Sequence, residues 1–495
     1  MNTKYLWLLM IAIAFAACET DDSADDMEEV VIPLTAGTAD FSKFVSVGAS
    51  FTAGFADGAL FIASQENSFP NILSQQFSAI GGGELTQPLM NDNFGGLLLG
   101  GVQIANPRLF FNGAGPAVLD ATPTTEVTNI LSGPFSNMGV PGAKSFHLLA
   151  NGYGNVAGVA TGQANPYFAR MASSPNASML EDALAQNASF FTLSEMGGND
   201  VLSFATSGGV GIDQTGNLDP TTYGPNDITD PTVFAGTLDA VVNALTANGA
   251  KGAITTVPYV TNLPYFTTVP YNPVPLDAAT AGLLNAGYAE YNGGLLQAEG
   301  AGLISAEERA ARTVVFAEGN NAVVIEDEDL TDLSGLGLPN FRQTTGDDLI
   351  VLPGSSFIGT LVNNDPLLIN GLSVPLSDQW VLTSTETQSV IVATDTYNLT
   401  IESIAGSKGL AFVDLKAILL EASTTGITFD DFTLDTSLVF GGLVSLDGIH
   451  LTARGYALMA NKFLEAIDAT YGSNFHEAGQ VAKAADYVVS YPEGL

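Results

Sequence analysis

The sequence is poor in cysteine, in positive charge and in long apolar runs. Its 495 residues hold one cysteine, Cys18, and 14 lysines and arginines against 52 aspartates and glutamates. A lone cysteine builds neither an intrachain disulfide nor a Cys-ligated zinc site. The formal net charge of −38 argues against nucleic acid as a partner, because phosphate contacts need clustered lysine and arginine. So acidic a surface suits high salt, where counterions screen self-repulsion. Only Tyr5–Ala17 is a sustained apolar run, and it is short for a membrane span. Histidine is scarce too. Any chemistry that needs an imidazole base has His147, His450 and His476 to draw on.

What is present is a globular chain. Hydrophobic residues make up 46% and charged residues 13%, enough to bury a sizeable core in one large domain or two ordinary ones. The run "MNTKYLWLLMIAIAFAAC" has a lysine, an apolar stretch and small residues before Cys18, the layout of a signal peptide over 1–17. The "FAAC" end resembles a bacterial lipobox. That implies cleavage before Cys18, lipidation of its thiol and a membrane held through acyl chains; the alternative is an ordinary secretory signal with an incidental cysteine. "ETDDSADDMEEVV" follows and reads as part of an acidic, disordered tether over 18–40. It resembles the export signals of Bacteroidetes lipoproteins, which implies the cell envelope and the exposed face of the outer membrane.

Short apolar segments bounded by glycine or asparagine recur at 43–48, 189–196, 252–260 and 409–415. They read as strands. Helical patterns alternate with them, at 178–186 and 237–249, after Thr383 with Glu386 in capping-box spacing, and from Thr452 to about Tyr471. The alternation predicts an α/β fold with a parallel central sheet covered by helices. Residues 56–180 are rich in Gly, Asn and Pro and predict long loops around a site. The segment near 266–384 reads as inserted strands and loops, a candidate lid.

"FVSVGASFTAGF" ends a β-branched run on Gly48-Ala49-Ser50. A tight turn explains it; so does a serine held out as a nucleophile. A nucleophilic serine needs a base, a group that orients the base and donors for the oxyanion. In "SLDGIHLTARGY", Asp447 stands three residues before His450, within reach of the imidazole Nδ1–H. Gly139 in "SNMGVPGAK" and Asn199 in "SEMGGNDVL" are candidate oxyanion donors. Glycine lets an N–H approach closely, and an amide after a strand sits where open α/β sheets bind ligands.

In order, "VGAS", "NMGVPGA", "GGND" and "DGIH" resemble the four blocks of the SGNH/GDSL hydrolase family over roughly 42–265 and 385–472, within a domain of 41–475. A tail follows at 476–495. The resemblance implies a three-layer α/β/α sandwich, with Ser50 as nucleophile and Asp447 and His450 completing the triad. It implies an oxyanion hole of Ser50, Gly139 and Asn199, and hydrolysis of lipid, aryl or acetylated-glycan esters through an acyl-enzyme, with no metal or organic cofactor. The family's Gly-Asp-Ser is Gly48-Ala49-Ser50 here. That departure keeps a second possibility open, a catalytically silent scaffold that binds rather than cleaves. "IEDEDLTDL" at 325–333 reads as a solvated acidic loop, with a metal site as the remote alternative.

Overall fold

The computed structural model describes residues 32–495. The signal peptide, Cys18 and most of the acidic tether lie outside the described residues. Five strands form one parallel sheet: β1 (Phe44–Gly48), β2 (Asn137–Gly139), β3 (Phe190–Leu193), β4 (Lys251–Thr255) and β5 (Ala411–Val413). Their spatial order is β5-β4-β3-β1-β2. The register lines Met138, Val47, Leu193, Ile254 and Phe412 in one row across the sheet.

Alternation along each strand feeds two cores, as a sheet covered on both faces requires. Val47, Leu193 and Ile254 point into a cluster with Phe234, Tyr397 and Ile401. Phe44, Phe190 and Ala253 point to the other face, against Phe69, Phe77 and Phe463. The first face is covered by α3 (Met179–Ala185), α5 (Pro231–Thr246) and α6 (Ser384–Lys408). The second is covered by α2 (Phe69–Ser78), α7 (Leu415–Thr424) and α8 (Ala453–Tyr471). The result is a mixed α/β sandwich. Two further helices, α1 (Ser50–Ala53) and α4 (Gly198–Thr206), leave the carboxyl ends of β1 and β3.

Local chemistry sets the helix boundaries. Thr383 and Glu386 form the capping box of α6, and Thr452 Oγ1 accepts the Gly455 N–H to start α8. Helix α5 begins six residues before the expected 237: Asp230 accepts the Thr232 and Val233 N–H groups, and Pro231 opens the helix. Strand β2 was expected to be loop. Asn-Met-Gly carries no strand pattern, and pairing with β1 makes it one.

The insertion has its own small cores, around Leu295, Phe316 and Val324 and around Val323, Ile325 and Ile350. It holds three helices the sequence reading missed, Ala278–Gly287, Ala289–Gly300 and Ala306–Arg312. Glycines within the first two dilute the helical signal. Residues at both ends of the chain are docked. Asn474 Oδ1 accepts the Thr35 N–H, and Tyr471 O accepts the Thr38 N–H, so the end of the expected tether is ordered against α8. In the C-terminal tail, the buried Arg108 guanidinium donates to the Tyr491 and Pro492 carbonyls.

Candidate active site

Ser50 is the first residue of α1, two residues past the end of β1. The turn that presents it is held by a residue the sequence reading did not single out. Glu195, just beyond β3, is buried, and its Oε1 accepts the N–H groups of Ala49 at 2.8 Å, Phe51 at 2.9 Å and Thr52 at 3.2 Å. Its Oε2 accepts from Ser194 Oγ at 2.8 Å. Burial pushes the Glu195 carboxyl up, and the Ser194 hydroxyl and these N–H donors pull against that. Among the described residues, the N–H of Ser50 and its Oγ have no hydrogen-bond partner. The turn therefore has its neighbouring donors tied down and leaves the serine's own donor open.

His450 and Asp447 pair as the spacing predicts. Asp447 Oδ2 lies 2.8 Å from His450 Nδ1 and also accepts the Gly58 N–H at 2.8 Å; Oδ1 accepts the Ile449 and His450 N–H groups. Burial alone would raise this carboxyl, but the His450 charge and these donors outweigh it and hold it well below the ordinary carboxylate range. The imidazole packs on Phe55 with ring centroids 4.6 Å apart and edge-on to Phe51 at 5.9 Å. It thus stands over the helix that Ser50 starts. Among the described residues, no hydrogen bond joins Ser50 Oγ to His450.

Behind Asp447 sits a second carboxyl. Asp57 is buried, holds a positive φ of 53°, and accepts the Leu446 N–H at 2.9 Å. Burial, with the Asp447 charge beside it, pushes Asp57 up to about 7.

The β2 loop corrects one expectation. The N–H of Gly139 donates to its own neighbour, Asn137 Oδ1, at 2.9 Å, and Gly139 is buried inside the sheet edge. A Cβ there would lie 2.3 Å from Ala53 N, so this glycine exists for close packing against α1. It offers nothing to a substrate. Gly142, three residues on, has φ +79°, is exposed, and its N–H has no partner among the described residues. Two contacts fix its loop to α4. Asn199 Nδ2 donates to Ala143 O at 2.9 Å, and the buried Asp200 accepts Ser145 N–H and Oγ–H at 2.8 and 2.6 Å. Gly142, and not Gly139, is therefore the glycine of this segment whose N–H is open among the described residues. The second glycine of "GVPGAK", after the proline, was the available signal.

No family model, curated protein or solved structure matches the chain.

Ser50 and Asn199 share the wall of one cavity, together with Ile449 and Leu451 on either side of His450. The cavity opens at the carboxyl ends of β1 and β3, where the strand order reverses direction and open α/β sheets form binding crevices. No residue of 266–384 lines it, so the insertion is not the wall of this site. It reaches the dyad indirectly: Tyr265 N donates to Gly448 O at 3.0 Å, and Leu352 N donates to Tyr265 O at 2.7 Å.

The other histidines do not line the cavity beside Ser50. His147 Nδ1 accepts the Lys144 N–H at 3.0 Å and stacks on Tyr153, and burial and the Lys144 charge push it down to about 3, so it stays neutral. His476 is exposed beside Asp468 at 3.3 Å. In the acidic stretch, Asp327 pairs with Arg342. Carboxylate oxygens of Glu328, Asp378 and Glu386 come within 4.8 Å of one another. Burial and neighbouring charges push Asp378 up to about 6 and Glu386 up to about 8.

Proposed function

We propose that the protein is a serine ester hydrolase of the SGNH type. The observation that carries the reading is the Asp447–His450 pair placed over the helix of Ser50, whose own N–H is left open by Glu195. In the proposed cycle, Ser50 Oγ attacks the ester carbonyl as His450 Nε2 takes its proton. Asp447 holds the imidazole tautomer and steadies the imidazolium. The oxyanion is met by the N–H groups of Ser50 and Gly142 and by the Asn199 amide. His450 then protonates the leaving alcohol, and water repeats the sequence on the acyl-enzyme, returning Ser50 and releasing the acid. Glu195 acts as a positioning residue, fixing the turn without touching substrate.

A second reading, a silent scaffold that binds esters without cleaving them, is favoured by the missing Ser50–His450 hydrogen bond. Catalytic hydrogen bonds are often loose in free enzymes and tighten with substrate. The two readings part on hydrolysis of p-nitrophenyl esters and on labelling by a fluorophosphonate. The hydrolase reading expects both in the wild type and neither in Ser50→Ala. Hydrolysis no faster than Ser50→Ala at every acyl length would leave the scaffold.

The proposal extends to location. With Cys18 lipidated, the acidic segment would tether the domain to the outer membrane surface. Loss of radiolabelled palmitate from Cys18→Ala tests this. No helix among the described residues is long and apolar enough to cross a membrane.

A further inference from the structure

Resting on the hydrolase reading, we infer that the cavity beside Ser50 is an acyl-binding chamber and that the substrate is an ester of a medium-chain fatty acid. The evidence is the chemistry of the walls. Ser50, Glu195 and Asn199 are the polar side chains lining the cavity; every other lining residue is aliphatic, aromatic, proline or glycine. Ser50 opens α1, Asn199 lies in the first turn of α4 and Glu195 just beyond β3, so the polar side chains gather at one end of the cavity, where the bond would break. Away from them, the chamber runs between α7 and α8, walled by Leu415, Ile418, Leu419, Leu458 and Met459. Its floor is therefore core-like, and the cavity itself is about 80 Å³, widening to about 860 Å³ when the solvent-open space at its mouth is counted.

Two classes of ester fit this badly. A sugar ring placed there would bury hydroxyls against leucine and methionine with nothing to pair them, which is costly. An acetyl group has one methyl to set against these walls and would leave most of their apolar surface uncovered. An alkyl chain meets both conditions, because it needs no polar partner and gains with every methylene it buries, about fourfold in affinity per methylene. The alcohol side of the ester is left on the solvent side, at the Ser50 mouth.

The test is the acyl-length profile of the whole protein on p-nitrophenyl acetate, butyrate, octanoate and decanoate. The expected kcat/KM on octanoate exceeds that on acetate by at least about tenfold. Ile418→Trp, on the half-buried wall, and Met459→Trp, deeper in, should each lower the octanoate-to-acetate ratio by about tenfold or more. A preference for acetate, or a ratio unmoved in folded variants, overturns the chamber. A second measurement does not need turnover or a folded Met459 variant: decanoate should raise the melting temperature of Ser50→Ala, and the added Ile418→Trp should abolish the rise. Decanoate binding without hydrolysis of any ester would sink the hydrolase reading and leave the chamber standing. Hydrolysis with no decanoate binding and a flat profile would do the opposite.

Discussion

Glu195 Oε1 accepts the N–H of Ala49 at 2.8 Å, the residue that stands where the resemblance would place an aspartate. The acid is supplied from the neighbouring strand, and the same oxygen also holds Phe51 and Thr52. The prediction concerns kcat. Glu195→Ala frees three donors and lets the Ser50 turn relax, so kcat should fall by roughly 10²-fold, the scale of losing one oxyanion donor, with KM changed less. Glu195→Gln keeps an acceptor oxygen but not the charge-assisted bonds, and should recover most of the loss. Steady-state kinetics on both variants decide it. Equal losses in Gln and Ala, or a loss confined to KM, would mean the carboxyl is only packing.

Ala49 is then an accommodation to Glu195. Ala49→Asp would bring a second carboxyl to donors already taken, in a buried site, where like charges cannot both ionise cheaply. It should cost roughly 2–3 kcal/mol in urea unfolding, the range for an uncompensated buried polar or charged group. Combining it with Glu195→Gln should restore much of that, because one charge is removed. Additive destabilisation in the double variant would show that the two sites do not compete.

The glycines of the β2 loop separate stability from catalysis. Gly139→Ala places a Cβ 2.3 Å from Ala53 N, so the sheet edge and α1 must part, and the melting temperature should drop by many degrees. Gly142→Ala meets nothing closer than Asn165 Nδ2 at 3.9 Å. Its φ of +79° costs about 1 kcal/mol for a residue with a Cβ, so the fold should survive while the donor shifts and kcat falls. A Gly142→Ala enzyme of unchanged kcat would remove Gly142 from the oxyanion hole.

Asp57 predicts a pH dependence of stability. Its folded value is pushed up to about 7 from an ordinary 3.8. The unfolded chain therefore releases this proton first, and stability falls as pH rises from about 4 to about 7. Asp57→Asn keeps an acceptor for Leu446 N–H, and asparagine tolerates the positive φ. The variant should be more stable than the wild type at pH 8 and show no such gain at pH 4. Parallel stability curves for the two proteins across that range would contradict the assignment.

How much of this could be read from the sequence follows from where each signal is stored. Four of the five strands and the caps of α3, α6 and α8 carry their information locally, in apolar runs and in Ser178, Thr383 and Thr452. The Asp447–His450 pair is local as well, three residues apart on one turn. Strand β2 is not: Asn137–Gly139 is a strand through its partner β1 alone. Glu195 could not be assigned for the same reason. Its three donors lie 143 to 146 residues away, and nothing in "SEMGGND" says which way the carboxylate points. Gly139 ends β2 and Gly142 stands in the turn three residues on, and only the direction of each N–H tells packing from an open donor.

The last prediction joins catalysis to acid stability through Asp447. Asp447→Asn keeps the size of the side chain, but an amide whose one oxygen takes the Ile449 and His450 N–H groups turns its NH2 towards the Gly58 N–H and His450 Nδ1, and so holds neither the His450 tautomer nor an imidazolium. Loss of the orienting carboxylate costs roughly 10⁴-fold in kcat in triad enzymes, and a fall of that order is expected here, with KM little changed. The same carboxylate has its folded pKa held down, so its contribution to stability is present above the unfolded value near 4 and is lost as pH falls below it. The wild type should therefore be the more stable protein at pH 7, and the gap to Asp447→Asn should close as the pH is taken towards 2. A kcat loss with no pH-dependent gap would mean that the dyad forms only when substrate is bound.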